Sequence, residues 1–413
     1  MLNRITMLAL LAASLIVRPT LAQVALPSSP LTQAENATAV DLYGKLKAQP
    51  GNLFFSPSSI STAMGMVFAG AKGDTAGEIA AALHLNLLSA SNADLRSVFL
   101  RAEAQQIAAN NTASTGFELH EANAMWAAAN YPFSKAYINS IQTSFGAALK
   151  PTDFSNEPDA RANINNWVAA QTNNKIQDLI GPGILTADTR MVLTNAIYFK
   201  SDWEKSFEKS DTYKQMFHVE PGTDVSVDMM HDTDSYALTT APGVKILQVS
   251  YRFGTTALVV ILPDDNAGLP AIEAGLTAAQ LNTWLAGGQD TLVALTLPKF
   301  TTSGAFDLNH VLMMLGINKA FSESQADLTD IANVPGHPLY VGSVIHQAYV
   351  DVDETGTEAA AATAVTMMAT AAAPSPVTIQ PVPFVADHPF LYLIRNNQTG
   401  EILFMGRMAN PAE

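Results

Sequence analysis

The chain of 413 residues contains no cysteine. That excludes a disulfide framework, a thiolate nucleophile, a thiolate metal site and a lipid-modified cysteine, so stability rests on packing. Basic residues are scarce as well: 22 Lys and Arg stand against 37 Asp and Glu, for a net charge of −15. Nucleic acids and anionic membranes both require cationic stripes, so neither is an expected partner. No stretch approaches ~20 uninterrupted apolar residues, the length a transmembrane helix needs. There is no Gly-x-Ser-x-Gly elbow, and His120-Glu121 lacks the second histidine of a zinc-protease helix, so the chain is not expected to be an enzyme. Metal and phosphate motifs are missing too, and no metal or other cofactor is expected. No basic cluster marks residues 82–111, and no Pro/Gly/Ser linker or repeat divides the chain.

What is present begins with Met1-Leu-Asn-Arg4, an apolar run over 5–17 and Thr20-Leu21-Ala22. A charged start, a hydrophobic middle and a small-residue cleavage site read as a signal peptide over 1–22, which predicts a secreted or periplasmic protein. The rest, 23–413, is expected to form one domain despite a length that would ordinarily suggest two. Helical spacing covers 34–47, with Ala39, Leu42, Tyr43 and Leu46 on one face. Leu53-Phe54-Phe55 is a short buried strand, Ser56-Pro57-Ser58-Ser59 a helix start, and the almost wholly apolar stretch 60–71 a buried helix.

Between 74 and 185 the pattern predicts mostly helix with one strand at 123–128. Residues 190–199 form a continuous apolar and β-branched run, as expected of a central strand covered on both faces. Further strands are predicted at 215–219, 225–230, 235–239, 245–252, 256–262, 291–298, 341–352, 390–395 and 402–408, with helices at 270–285 and 307–315. Helices gathered early and strands dominating later indicate an α+β fold.

One segment is unlike core or ordinary surface. Asp353-Glu354-Thr355-Gly356-Thr357-Glu358, then Ala359, Ala360, Ala361 and Ala362, then Thr363-Ala364-Val365, follow the 341–352 strand without an expected reversal. About twenty residues of Met, Ala, Thr, Ser and Pro come after, an unusually long connection. Threaded as a strand, it places Thr357, Ala359, Ala361, Thr363, Val365 and Met367 on one face, all free of charge. Such a face can be buried in a sheet, whereas a charge or a proline there would add a desolvation cost or a lost ladder bond. Gly356 reads as a flexible pivot.

At these residues the sequence closely resembles the serpin family, whose inhibitory hinge pattern stands here as Glu354 to Thr363. Asn52 to Ile60, Leu193 to Trp203, Leu297-Pro-Lys-Phe300, Phe384 to Phe390 and Phe404 to Arg407 are similar to other family motifs, in the family's order. The resemblance implies three sheets, about nine helices and a reactive-centre loop over about 354–383. It also implies suicide inhibition. A serine-type protease attacks the loop and forms an acyl-enzyme, and the cleaved loop then inserts into the central sheet before deacylation. Roughly 15 residues at ~3.3 Å each would carry the protease on the order of 50 Å. The resemblance thus implies a serine-type protease as the covalently held partner, and a monomeric inhibitor.

Counting from the hinge glutamate as the family does puts the scissile bond at Thr370-Ala371, within about two residues. A small residue there suits an elastase-like or subtilisin-like pocket, and cleavage after Met367 or Met368 would suit a chymotrypsin-like one. Both methionines, if exposed, would be oxidisable. By the same resemblance Ser56, Ser59, Asn195 and His346 form a polar shutter beneath the central strands. Trp203 sits at the breach where the loop first inserts, and Glu354 pairs there with Lys299, a contact worth at most ~1 kcal/mol if exposed. The rival reading is a non-inhibitory serpin acting as a binding or chaperone module; such relatives tend to carry bulky, charged or proline residues in the hinge, unlike this chain.

Overall fold

The computed structural model describes residues 28–88, 92–111, 116–129, 131–357 and 380–413. Helix α1 (Pro30–Leu46) starts where the Ser29 hydroxyl accepts the Thr32 N–H at 3.0 Å, an N-cap that satisfies one of the first turn's free donors. After β1 (Leu53–Phe55), α2 (Pro57–Phe68) is capped by Ser56, carries proline in its first turn and is buried at every position. Its start is the one the Ser56-Pro57-Ser58-Ser59 signal predicts, and it ends three residues before the apolar stretch 60–71 does.

Then come α3 (Gly73–Ala82), α4 (Asn92–Asn110), β2 (Glu118–Ala128), α5 (Lys135–Phe145), β3 (Ala148–Thr152), α6 (Glu157–Gln171) and β4 (Met191–Asp202). The second half is mostly strand: β5 (Tyr213–Glu220), β6 (Thr223–Ala241), β7 (Val244–Ser250), β8 (Thr256–Pro263), α7 (Leu269–Gly275), α8 (Ala278–Ala286), β9 (Gln289–Pro298), β10 (Phe300–Asp307), α9 (Asn309–Met314) and β11 (Ser343–Val352). The two-residue β12 (Gly356–Thr357), β13 (Val382–Val385), β14 (Phe390–Asn396) and β15 (Ile402–Met408) complete the nine α-helices and fifteen strands of the described residues. This is an α+β fold.

Six strands form one sheet in the order β10-β11-β12-β4-β2-β3. The remaining nine form a continuous hydrogen-bonded network through β6, whose early part pairs with β5, its middle with β9 and its end with β7. The three expected sheets are thus two networks, since one 19-residue strand belongs to a sheet at either end. Sequence patterning splits that strand at Asp232 and Asp234. The carboxylates instead take the Lys205 ammonium at 3.1 and 2.6 Å, so the charges are paired along a continuous strand and mark no turn. The single helix expected over 270–285 is divided by Leu276, where Thr277 caps α8 through the Gln280 N–H.

Strand β4 explains its own apolar run. Val192 and Ala196 pack beneath α6 with Ile164 and Val168. Leu193 packs among the residues of α1 and α2, and Ile197 and Phe199 pack against the nine-stranded sheet with Leu258, Val260 and Phe404. Both faces are covered, and each such large side chain contributes roughly 1.5–3 kcal/mol by burial.

Candidate functional site

Strands β4 and β11 run parallel and pair directly from Val192↔Ser343 to Tyr198↔Tyr349. Beyond that point they part, and β12 lies between them, antiparallel to both: Thr357 is opposite Val352 on one side and Ser201 on the other, and Gly356 is opposite Asp202. The chain therefore reverses after β11, contrary to the expectation of a straight exit. The reversal is an Asp-headed turn. The Asp353 carboxylate accepts the N–H groups of Thr355 at 2.7 Å and Gly356 at 3.2 Å, and the Asp353 N–H donates to Gly356 O at 2.9 Å. Asp at the first position and Gly at the fourth is the composition of a type I turn, and this was the signal to read.

Gly356 is needed for close approach more than as a pivot. It has no positive φ, and a Cβ would run into Ser201 O and lie 2.7 Å from Asp202 Cα. The turn is fastened from the β4 side as well. Trp203 donates from its indole to Asp353 O at 2.8 Å and from its backbone to Thr355 O at 2.9 Å, and Phe207 N–H donates to Glu354 O at 2.8 Å. The Glu354 carboxylate meets Lys299 Nζ at 2.7 Å and is only 5% exposed, while the Lys299 side chain is 35% exposed, so the condition of exposure set for that pair holds for one partner and not the other. Burial opposes the charge on both groups. The hydrogen bond and attraction between them outweigh it, holding the Glu354 carboxyl below its ordinary value and the Lys299 ammonium above its own.

Ser56, Ser59, Asn195 and His346 are brought together under the middle of the β4–β11 pair, where His346 lies opposite Asn195. All four are buried. The Ser56 N–H donates to His346 Nε2 at 3.0 Å, which fixes the ring proton on Nδ1, and Nδ1 donates to Asn195 Oδ1. Asn195 Nδ2 donates to Ser59 O at 2.7 Å and Asn123 Oδ1 at 2.6 Å, and the Ser56 hydroxyl to Leu403 O at 2.7 Å. Asn123 is the member that sequence reasoning missed; an amide inside the otherwise apolar strand over 122–127 was the available sign.

Burial pushes the His346 pKa down to about 3. A second ring proton would face the Ser56 N–H, donor against donor. The unfolded chain takes up that proton near 6.5, so the folded state binds fewer protons between the two values. Stability is therefore complete above about 6.5 and declines as pH falls, by up to about 1.4 kcal/mol per pH unit. A His346→Gln variant is expected to remove about 2 kcal/mol of the difference between about pH 7 and about pH 5, as read from urea midpoints. An unchanged difference would show that this ring does not control it.

The hinge residues Glu358, Ala359, Ala360, Ala361, Ala362 and Thr363, the Thr370-Ala371 bond, Met367, Met368 and the leader 1–22 lie outside the described residues. No helix among the described residues is long and apolar enough to cross a membrane.

Comparison with known proteins adds the context. The sequence profile described as "Serpin (serine protease inhibitor)" matches residues 33–411. Human Serpin B4 is 35% identical over 395 residues, which cover 92% of this chain and 99% of that protein. Leukocyte elastase inhibitor A of Rattus norvegicus is 35% identical over 392 residues, with 92% and 99% covered. Among solved structures, Serpin48 of the insect Tenebrio molitor superposes with a TM-score of 0.80 at 31% identity, over 92% of this chain and 98% of that one. With profile, relatives and architecture in agreement across nearly the whole length, the chain belongs to the serpins, the family of serine protease inhibitors.

Proposed function

We propose that this protein is a suicide-substrate inhibitor of serine-type endopeptidases that traps the acyl-enzyme by strand insertion. The observation that carries the reading is the seat of Gly356 and Thr357 between β4 and β11. If that register continues along the sequence, residue 366 comes to lie opposite Ser343 and Val192, the pair at which direct β4–β11 contact begins. The stretch over which β4 and β11 would have to part is thus the length of the hinge. Thr357 faces inward and is fully buried, so Ala359, Ala361, Thr363 and Val365 follow it onto the buried face, and none would bury a charge.

In this scheme the protease serine attacks the carbonyl of Thr370, and the bond to Ala371 breaks. Residues 356–366 fill the sheet, fewer than the roughly 15 expected from the sequence because the β4–β11 pairing begins at Val192 and Ser343, and Met367 to Thr370 remain as a short tether to the acylated enzyme. A small residue at the cut and the absence of Lys or Arg nearby favour an elastase-like or subtilisin-like pocket. A relative named as a leukocyte elastase inhibitor fits that choice. Ser56, Ser59, Asn195 and His346 act as the shutter, and Trp203 with the Glu354–Lys299 pair as the breach. Export through a leader over 1–22 and action as a monomer belong to the same proposal.

Incubation with elastase-, subtilisin-, chymotrypsin- and trypsin-like enzymes tests it. The expected result is a denaturant-stable complex with the first two, and a released C-terminal peptide whose mass starts it at Ala371 within about two residues. If every active protease only digests the loop, the inhibitory reading fails.

A further inference from the structure

Backbone pairing is only part of what seats the hinge. Thr357 Oγ1 lies 2.6 Å from the hydroxyl of Tyr251, and both residues are fully buried. Tyr251 is itself immobilised: its ring stacks on Trp203 at 4.4 Å with 8° between planes, and Phe199 meets it edge-on at 5.0 Å. Trp203 in turn holds the turn at Asp353 and Thr355. The aromatic stack therefore fixes one hydroxyl at the point where residue 357 sits.

Strand insertion by itself asks only that residue 357 be small and uncharged. Alanine or valine would meet that demand, yet either would leave the Tyr251 hydroxyl buried without its partner, which costs more than the hydrogen bond gained is worth. The site thus selects a hydroxyl, a requirement that the steric rule does not contain.

We propose that Tyr251 is a positioning residue that recognises the Thr357 hydroxyl and seats the start of the hinge in the sheet before any protease arrives. The costly first step of adding a strand, closing a loop to fix its first residues, is then already taken. After cleavage only propagation remains, and propagation competes with deacylation. The effect on trapping rests on the inhibitory reading; the seating itself does not.

Four variants test this: Tyr251→Phe, Thr357→Val, their double, and Thr357→Ser as the conservative control. In the uncleaved protein, hydrogen exchange of the 353–357 segment is expected to rise about tenfold in either single variant and no further in the double, with Thr357→Ser close to wild type. Trp203 fluorescence should shift in parallel, since its stacking partner is released. Against an inhibited protease, the stoichiometry of inhibition should rise about fivefold while the rate of first loop cleavage stays constant; a general loss of fold would alter both. Exchange unaltered in Tyr251→Phe, or additive effects in the double variant, would overturn the proposal. If wild type inhibits no protease, the exchange measurement still decides the role of Tyr251, and only the inhibitory reading falls.

Discussion

A Thr357→Arg variant is expected to be cut at the loop and to release its protease unharmed. Thr357 is fully buried between Val352 and Ser201 and faces the Tyr251–Trp203 stack. An arginine there would bring a charge into an apolar layer during insertion, and burying an uncompensated charge costs several kcal/mol. The resting fold survives, because residue 357 sits at the end of the sheet and the hinge can swing outward with its new side chain in water. Two measurements separate the outcomes. The denaturant-stable complex expected with wild type should be missing, while the loop is still cleaved. The melting temperature of the cleaved protein should rise in wild type, where a full strand is added, and stay near the uncleaved value in the variant. Complex formation at the wild-type level would contradict insertion as the trapping step.

Thr363→Val is expected to spare the resting molecule and damage the trapped one. In the register set by Thr357, the sixth residue onward falls opposite both Asn195 and His346, and its side chain points inward toward them. Those two side chains now share a hydrogen bond. An inserted strand must part them, leaving the His346 Nδ1–H and Asn195 Oδ1 without each other. A threonine hydroxyl between them can accept from one and donate to the other, so the polar chain is relayed and kept. Valine has the same shape and neither capacity, and two buried groups left unsatisfied cost about 1–3 kcal/mol each. The uncleaved variant should melt like wild type. Its cleaved form should melt lower than cleaved wild type, and its stoichiometry of inhibition should rise. Equal melting of the two cleaved forms would show that residue 363 does not meet the pair.

Much of this was legible in residues whose patterns are redundant. The apolar and β-branched run at 190–199 reads as a strand covered on both sides, and β4 is one. The clustering of Ser56, Ser59, Asn195 and His346 followed from the family resemblance, and no single residue among them would have revealed it. What escaped has physical reasons. Strand β10 buries Phe300, Thr302, Gly304 and Phe306 in alternation, but two of the four inward residues are too small or polar to register as hydrophobic period. Strand β13 contains Pro383, which argues against a strand unless it lies at an edge, and among the described residues β13 pairs with β9 alone. The turn at 353–356 was hidden because the alanine-rich continuation directed attention to an extended segment, while the Asp-x-x-Gly composition lay in front of it. Tyr251 gave no sign at all: inside the predicted 245–252 strand it reads as one more core aromatic, and its role depends on a partner 106 positions away.

The seat already taken by Gly356 and Thr357 also bears on how these molecules treat one another. An extended segment from a neighbouring copy could begin to pair with β4 and β11 only where their edges are open, and at this end the molecule's own chain fills the first position. With that position occupied, a foreign strand would have to displace the hinge before it could pair there. Self-association by this route would then start only from molecules whose hinge has left its place, so its onset would track the fraction unseated more closely than the total concentration.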